Sequence, residues 1–105
     1  MLEFDESYNE RDIELPVGEA FEVRLPENPT TGFRWNFSSS GEPACELLDN
    51  SFEIVADRPG RGGSHSWQFR VAQAGHGIIE LVYRRSWERD KTPARKFALH
   101  VYTYP

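Results

Sequence analysis

Two threonines, Thr30 and Thr31, stand between Pro29 and Gly32 in the run Asn28-Pro29-Thr30-Thr31-Gly32-Phe33. Each is β-branched, stiff at χ1, and carries a hydroxyl able to donate or accept. Pro29 locks its own φ and biases Asn28 toward extended backbone. Gly32 admits positive φ, which lets the chain swing back into a strand. The hexapeptide reads as a stiffened tip bearing small polar groups, a shape suited to entering a groove on another molecule. Taken alone, it also reads as an ordinary connection between two strands.

Two further stretches have binding rather than catalytic character. Gly60-Arg61-Gly62-Gly63, within the loop from Asp57 to Ser64, is backbone almost without bulk and could lie close against another chain. It lacks the spacing and the Lys-Ser/Thr pair of a phosphate loop, and alone it reads equally as a flexible surface loop. Tyr83-Arg84-Arg85-Ser86-Trp87-Glu88 places a tryptophan among charged loop residues. That is a poor core position and a good interface anchor, since Trp and Arg dominate binding hot spots. The alternative is that Trp87 folds back over the edge of the domain.

Enzymatic chemistry has little to build on. His65, His76, His100 and Cys45 are the candidate nucleophiles and bases, and no histidine pair has a metal spacing such as His-x-x-x-His. Cys45 falls outside the three loops, in strand-like sequence where a buried structural thiol is expected. As the lone cysteine it forms no intrachain disulfide, so the fold rests on packing. The expectation is a protein that is not an enzyme and needs no cofactor or metal.

Short alternating runs must position the loops. Phe21, Val23 and Leu25 alternate with Glu22 and Arg24, and Trp35 and Phe37 alternate with Arg34 and Asn36. Trp67, Phe69 and Val71, then Ile79, Leu81 and Tyr83, then Phe97, Leu99 and Val101 repeat the pattern. Ile13 to Pro16 is a further strand-like piece, turning at Val17-Gly18-Glu19. Leu47, Phe52 and Ile54 mark a less regular stretch of one or two strands, after a polar turn from Ser38 to Pro43. Turn signals recur every 8–12 residues and no helical period emerges, which predicts an all-β, immunoglobulin-like antiparallel sandwich of seven to eight strands. In an up-and-down order the loops at Asn28, Asp57 and Arg84 are alternate connections and gather at one end, provided one strand lies between Phe37 and Asp57.

A chain of 105 residues is one domain with a single core. Residues 1–7 read as an acidic segment that is only loosely held. Met1 to Glu6 lacks the basic and apolar regions of a signal peptide, so the expectation is either a cytoplasmic protein or an exported one that has lost its leader. No apolar run approaches the ~18 residues of a membrane helix. The net charge of −5 speaks against nucleic acid as a partner. Charge is uneven: Met1 to Thr30 carries nine acids against Arg11 and Arg24, whereas Arg84, Arg85, Arg89 and Lys91 face only Glu88 and Asp90.

Together the three loops resemble those of the chagasin family, immunoglobulin-like inhibitors of papain-like cysteine peptidases. Its first-loop motif, Asn-Pro-Thr-Thr-Gly-Phe/Tyr, is complete at Asn28 to Phe33, and its Gly-x-Gly-Gly is complete at Gly60 to Gly63. Its third motif, Arg-Pro-Trp/Phe, stands here as Arg85-Ser86-Trp87, with serine in place of proline. The match in order and spacing runs from about Tyr8 onward. The resemblance implies a monomeric, reversible, non-covalent and competitive inhibitor whose partners are papain-like cysteine peptidases, with no nucleic acid or membrane partner. It implies that Asn28, Pro29, Thr30, Thr31, Gly32 and Phe33 enter the catalytic centre, with Thr30 nearest the nucleophile. Gly60, Arg61, Gly62 and Gly63 then lie along the non-primed subsites, and Arg85, Ser86 and Trp87 cover the primed side. Trp35, Trp67 and Trp87 leave a second reading, a carbohydrate-binding or adhesion sandwich, because a fold alone does not fix function.

Overall fold

Alternation of apolar and polar side chains accounts for most of the eight strands in the computed structural model, which describes residues 1–54, 62–88 and 92–105. These are β1 (Leu2–Phe4), β2 (Arg11–Pro16), β3 (Ala20–Glu27), β4 (Phe33–Ser40), β5 (Cys45–Ile54), β6 (Gly63–Val71), β7 (Gly75–Arg85) and β8 (Arg95–Tyr104). They form two four-stranded sheets, ordered β1-β3-β6-β5 and β2-β8-β7-β4. Phe21, Val23 and Leu25 from β3 meet Phe69 and Val71 from β6 within one sheet, and Ile79, Leu81, Phe97, Leu99 and Val101 line the other. Each such fully buried side chain contributes roughly 1.5–3 kcal/mol through its burial. Trp35 and Trp67 are 7% and 3% exposed. Both tryptophans therefore belong to the core, and the ring platform that a sugar-binding reading needs is not assembled from the three of them.

The central pairings β3–β6, β5–β6, β4–β7 and β7–β8 are antiparallel, but β1–β3 and β2–β8 are parallel. The chain changes sheets between β1 and β2 and again between β2 and β3, so each early strand reaches a partner that is not its hairpin neighbour. Phe4, buried against Phe21 and Tyr8, anchors β1. The irregular stretch is one strand, β5, with a register shift between Leu47 and Asp49. The extra residue reverses the facing of the side chains beyond it, which is why the apolar spacing there follows no single period. β4 runs on through the expected turn to Ser40, where the Ser38 hydroxyl donates to the Glu80 carboxylate at 2.6 Å and the Ser39 hydroxyl to the Ile78 carbonyl. Gly77 lies inside β7 because a Cβ there would fall 2.4 Å from the carbonyl oxygen of Gly41.

With β5 as a single strand, the connections β3–β4, β5–β6 and β7–β8 emerge at one end. Glu27 is opposite Gly63, Gly63 is opposite Ile54, and Phe33 is opposite Arg85.

Candidate binding site at one end of the sandwich

The first loop is a single 3-10 turn, Pro29–Thr31, closed from within. Asn28 is extended, as a residue before proline should be, and its Oδ1 accepts from the Thr30 backbone N–H at 3.2 Å and from the Thr30 hydroxyl. The Thr31 hydroxyl donates to the Asn28 carbonyl at 2.7 Å. Gly32 ends the turn at φ 84°, donating its N–H to the Pro29 carbonyl. Both hydroxyl hydrogens are thus committed inside the loop, and the exposed threonines present oxygen lone pairs as acceptors.

The third loop is fastened to the first. Arg85 Nε donates to the Thr31 carbonyl at 3.1 Å, and its guanidinium lies 4.5 Å over the Phe33 ring and 5.8 Å from that of Trp87. Glu88 pairs with Arg85 and closes a tight turn, its N–H donating to the Arg85 carbonyl. Ser86 and Trp87 occupy the turn's two central positions. Trp87 is 70% exposed, so it does not fold back over the sandwich; the edge of its indole rests on Gly32.

Of the second loop, Gly60 and Arg61 lie outside the described residues, as do Arg89 and Lys91 of the basic cluster. Gly62 and Gly63 are described, and their lack of side chains serves this chain's own packing. Gly62, at φ 75°, would place a Cβ 2.7 Å from both the Asn28 Cα and the Glu27 carbonyl oxygen, and one on Gly63 would overlap the Glu53 carbonyl. Gly62 therefore abuts the root of the first loop. Arg34, exposed, faces Arg84 across the β4–β7 pair, which carries the positive patch onto the sheet beside the third loop.

Two residues support the site in roles the sequence reading did not give them. The Tyr83 hydroxyl accepts from the Asn28 N–H at 3.0 Å, while its ring packs between Phe33 and Trp35. Glu27, 2% exposed, accepts from the Trp35 N–H at 2.9 Å and lies 3.0 Å from His65 Nδ1. The parity that buries Phe21, Val23 and Leu25 continues to position 27, and that was the available signal for Glu27. The four candidate catalytic residues do not converge. His65 serves the Glu27 network and His76 stacks beside His100 on β7 and β8. Cys45 is buried, and burial pushes its thiol up to about 11, out of reach of a working nucleophile.

An immunoglobulin-like sandwich that brings a self-capped turn, the backbone of Gly62 and Gly63 and an exposed tryptophan to one end has the build of a scaffold that binds through its loops. Residues 14–101 match the model of the chagasin family of peptidase inhibitors, I42, and the chain belongs to that family. It is 37% identical over 105 residues to amoebiasin-1 of Entamoeba histolytica, covering 95% of this chain and 97% of the relative. It is 29% identical over 100 residues to chagasin of Trypanosoma cruzi, covering 90% and 91%. The fold matches the crystal structure of the cysteine protease inhibitor EhICP2 from Entamoeba histolytica with a TM-score of 0.85, at 20% identity over 98% of this chain and 94% of that one.

Proposed function

We propose that this protein inhibits papain-like cysteine peptidases reversibly and competitively by seating its three loops in the active-site cleft. The observation that carries the reading is the internally capped turn from Asn28 to Gly32, fastened to Tyr83 and Arg85 and bearing Trp87 on its glycine. Thr30 sits at the tip, nearest the peptidase's cysteine and histidine, where its hydroxyl oxygen can accept from a catalytic donor. Asn28, Pro29, Thr31, Gly32 and Phe33 form the body of the wedge. Gly60, Arg61, Gly62 and Gly63 follow the non-primed subsites, and Arg85, Ser86 and Trp87 cover the primed side.

The turn supports non-covalent inhibition. Peptidases grip substrates as extended strands, whereas the Pro29–Thr31 backbone is wound into a 3-10 turn and offers no bond in that geometry. Preformed hydrogen bonds leave little loop entropy to lose on docking, which favours tight complexes. Steady-state assays should show competitive inhibition of papain and cathepsin L at sub-micromolar concentration, with serine and metallopeptidases spared. Full papain activity in the presence of micromolar protein would sink the proposal.

A further inference from the structure

We propose that Glu27 is the positioning residue of the wedge: it makes no contact with a peptidase and instead fixes, from below, how the first loop leaves one sheet and enters the other. The inference rests on the function proposed above and concerns a residue beneath the loops. Glu27 ends β3, and Asn28, which caps the turn, follows it directly. Its Oε2 accepts the Trp35 N–H at 2.9 Å, so one carboxylate closes the base of the whole loop between two residues eight positions apart. A second tie spans the same base, from Trp35 Nε1 to the Pro26 carbonyl at 2.8 Å. The other oxygen, Oε1, meets His65 Nδ1 at 3.0 Å, and His65 is held on its far side by Asn50 Oδ1 at 2.9 Å. The imidazole also stacks on Trp67, with ring centroids 4.0 Å apart and planes 5° from parallel. Through His65 the carboxylate grips β6 two residues beyond Gly63, and the Gly62 backbone presses against the Glu27 carbonyl. A single side chain thus sets the first loop against the root of the second.

Stability alone is a weak reason to place a carboxylate here. A buried ionic group is often matched or exceeded in stability by an apolar residue of similar volume, and its better-attested use is to select one geometry. The pattern of substitutions follows from the contacts. Gln can accept from Trp35 through its Oε1 and donate its amide to His65 Nδ1, keeping the arrangement. Leu fills the space but leaves the Trp35 N–H without its acceptor. Asp keeps the charge and is too short to reach Trp35 and His65 together.

The test uses the full chain as wild type, Glu27→Gln, Glu27→Leu and Glu27→Asp, each with and without Thr30→Ala. Amide hydrogen exchange of residues 28–35 in the free protein, melting temperature, and the inhibition and dissociation constants with papain are measured. Glu27→Leu and Glu27→Asp should speed exchange of the loop amides and speed dissociation by about tenfold or more. Glu27→Gln should stay within about threefold of wild type, as one retained geometry predicts. The penalty of Thr30→Ala should shrink in the Leu and Asp backgrounds, because a misplaced tip has less to lose, while melting temperatures remain additive. Should Glu27→Leu fail to fold, Glu27→Asp carries the same comparison. Wild-type loop exchange in the Leu or Asp variant, an unchanged Thr30 penalty, or a Gln variant as weak as Leu would each overturn the assignment. If wild type fails to inhibit papain, the proposed function falls, and amide exchange in the free protein still decides the role of Glu27.

Discussion

The indole of Trp87 rests on the backbone of Gly32, so closely that a Cβ on Gly32 would lie 2.6 Å from the ring's Cη2 atom. Two loops that are more than fifty residues apart in sequence therefore share one surface before any partner arrives. Glycine at position 32 answers two demands at once, a left-handed φ of 84° and a flat seat for the ring.

Gly32→Ala should accordingly weaken inhibition of papain by more than tenfold, because the methyl displaces Trp87 as well as straining the turn. Gly18→Ala is the control, since Gly18 has a similar φ of 94° with nothing within 4 Å of its missing Cβ. The control should lose about 1–2 kcal/mol of stability from backbone strain alone and keep its inhibition constant. Equal inhibition by the two variants would show that the ring needs no seat.

Thr30 gives a sharper contrast between shape and chemistry. Thr30→Ala removes one hydrogen bond to Asn28 Oδ1 but leaves the backbone donor to the same oxygen in place. The expected loss in affinity is about 0.5–1.5 kcal/mol. Thr30→Lys puts a long charged chain at the tip of the wedge, where desolvation without a partner or a plain clash costs several kcal/mol. Inhibition constants for the two variants should differ by at least about a hundredfold; near-equal values would place Thr30 at the rim of the contact.

Much of this architecture is legible in the sequence because the central strands bury every second residue, and period two is the strongest signal an antiparallel sandwich emits. Phe21, Phe69, Leu81 and Leu99 are found that way, and the end at which the loops gather follows from counting strands. What escapes has physical reasons. β1 buries one side chain, Phe4, too few to make a pattern, and β5 changes parity at its bulge. Glu27 is charged and so reads as solvent-facing, although its parity points inward; only the donors from β4 and β6 make the buried site tolerable. Gly62 and Gly63 advertise an absence of bulk, and sequence alone cannot say whether that space admits a partner or this chain's own backbone.

Cys45 should be dispensable for inhibition and visible in alkaline stability. It is buried under Gly41, at the end of the sandwich away from the three loops. Its folded thiol titrates at about 11 against an ordinary 9.0, because burial disfavours the thiolate. Below pH 9 both folded and unfolded states hold the proton and nothing changes. Between pH 9 and 11 the unfolded state releases it first, so stability falls as pH rises, by an amount on the order of 2–3 kcal/mol. Chemical denaturation of wild type and Cys45→Ala across this range isolates the thiol, since every other ionisable group is common to both. The alkaline loss should be smaller in the variant, and inhibition at pH 7 should be unchanged. Identical pH profiles would mean that the thiol ionises as freely in the folded protein as in the unfolded one.

Ser86 is the departure from the family's Arg-Pro-Trp pattern, and its place in the fold sets what proline there should do. The Glu88 N–H donates to the Arg85 carbonyl, which makes Arg85 to Glu88 a four-residue turn with Ser86 at its second position. Proline is favoured at that position because its fixed φ near −65° matches the turn. The restriction that proline imposes on the preceding residue also fits, for Arg85 is the last residue of β7 and already extended. Ser86→Pro should therefore stabilise the free loop by about 0.4–1 kcal/mol, chiefly by narrowing its unfolded alternatives. The gain in affinity should be no larger, since Trp87 already rests on Gly32 and lies 5.8 Å from the Arg85 guanidinium in the free protein. It should register mainly as slower dissociation from papain, by roughly two- to fivefold. In a Trp87→Ala background the gain in affinity should vanish while the gain in stability persists, because only the former depends on placing the ring. Weaker inhibition by a normally folded Ser86→Pro variant would show that the turn does not have proline-compatible angles in the complex. An affinity gain that survives Trp87→Ala would show that the loop backbone, rather than the indole, is what the peptidase holds.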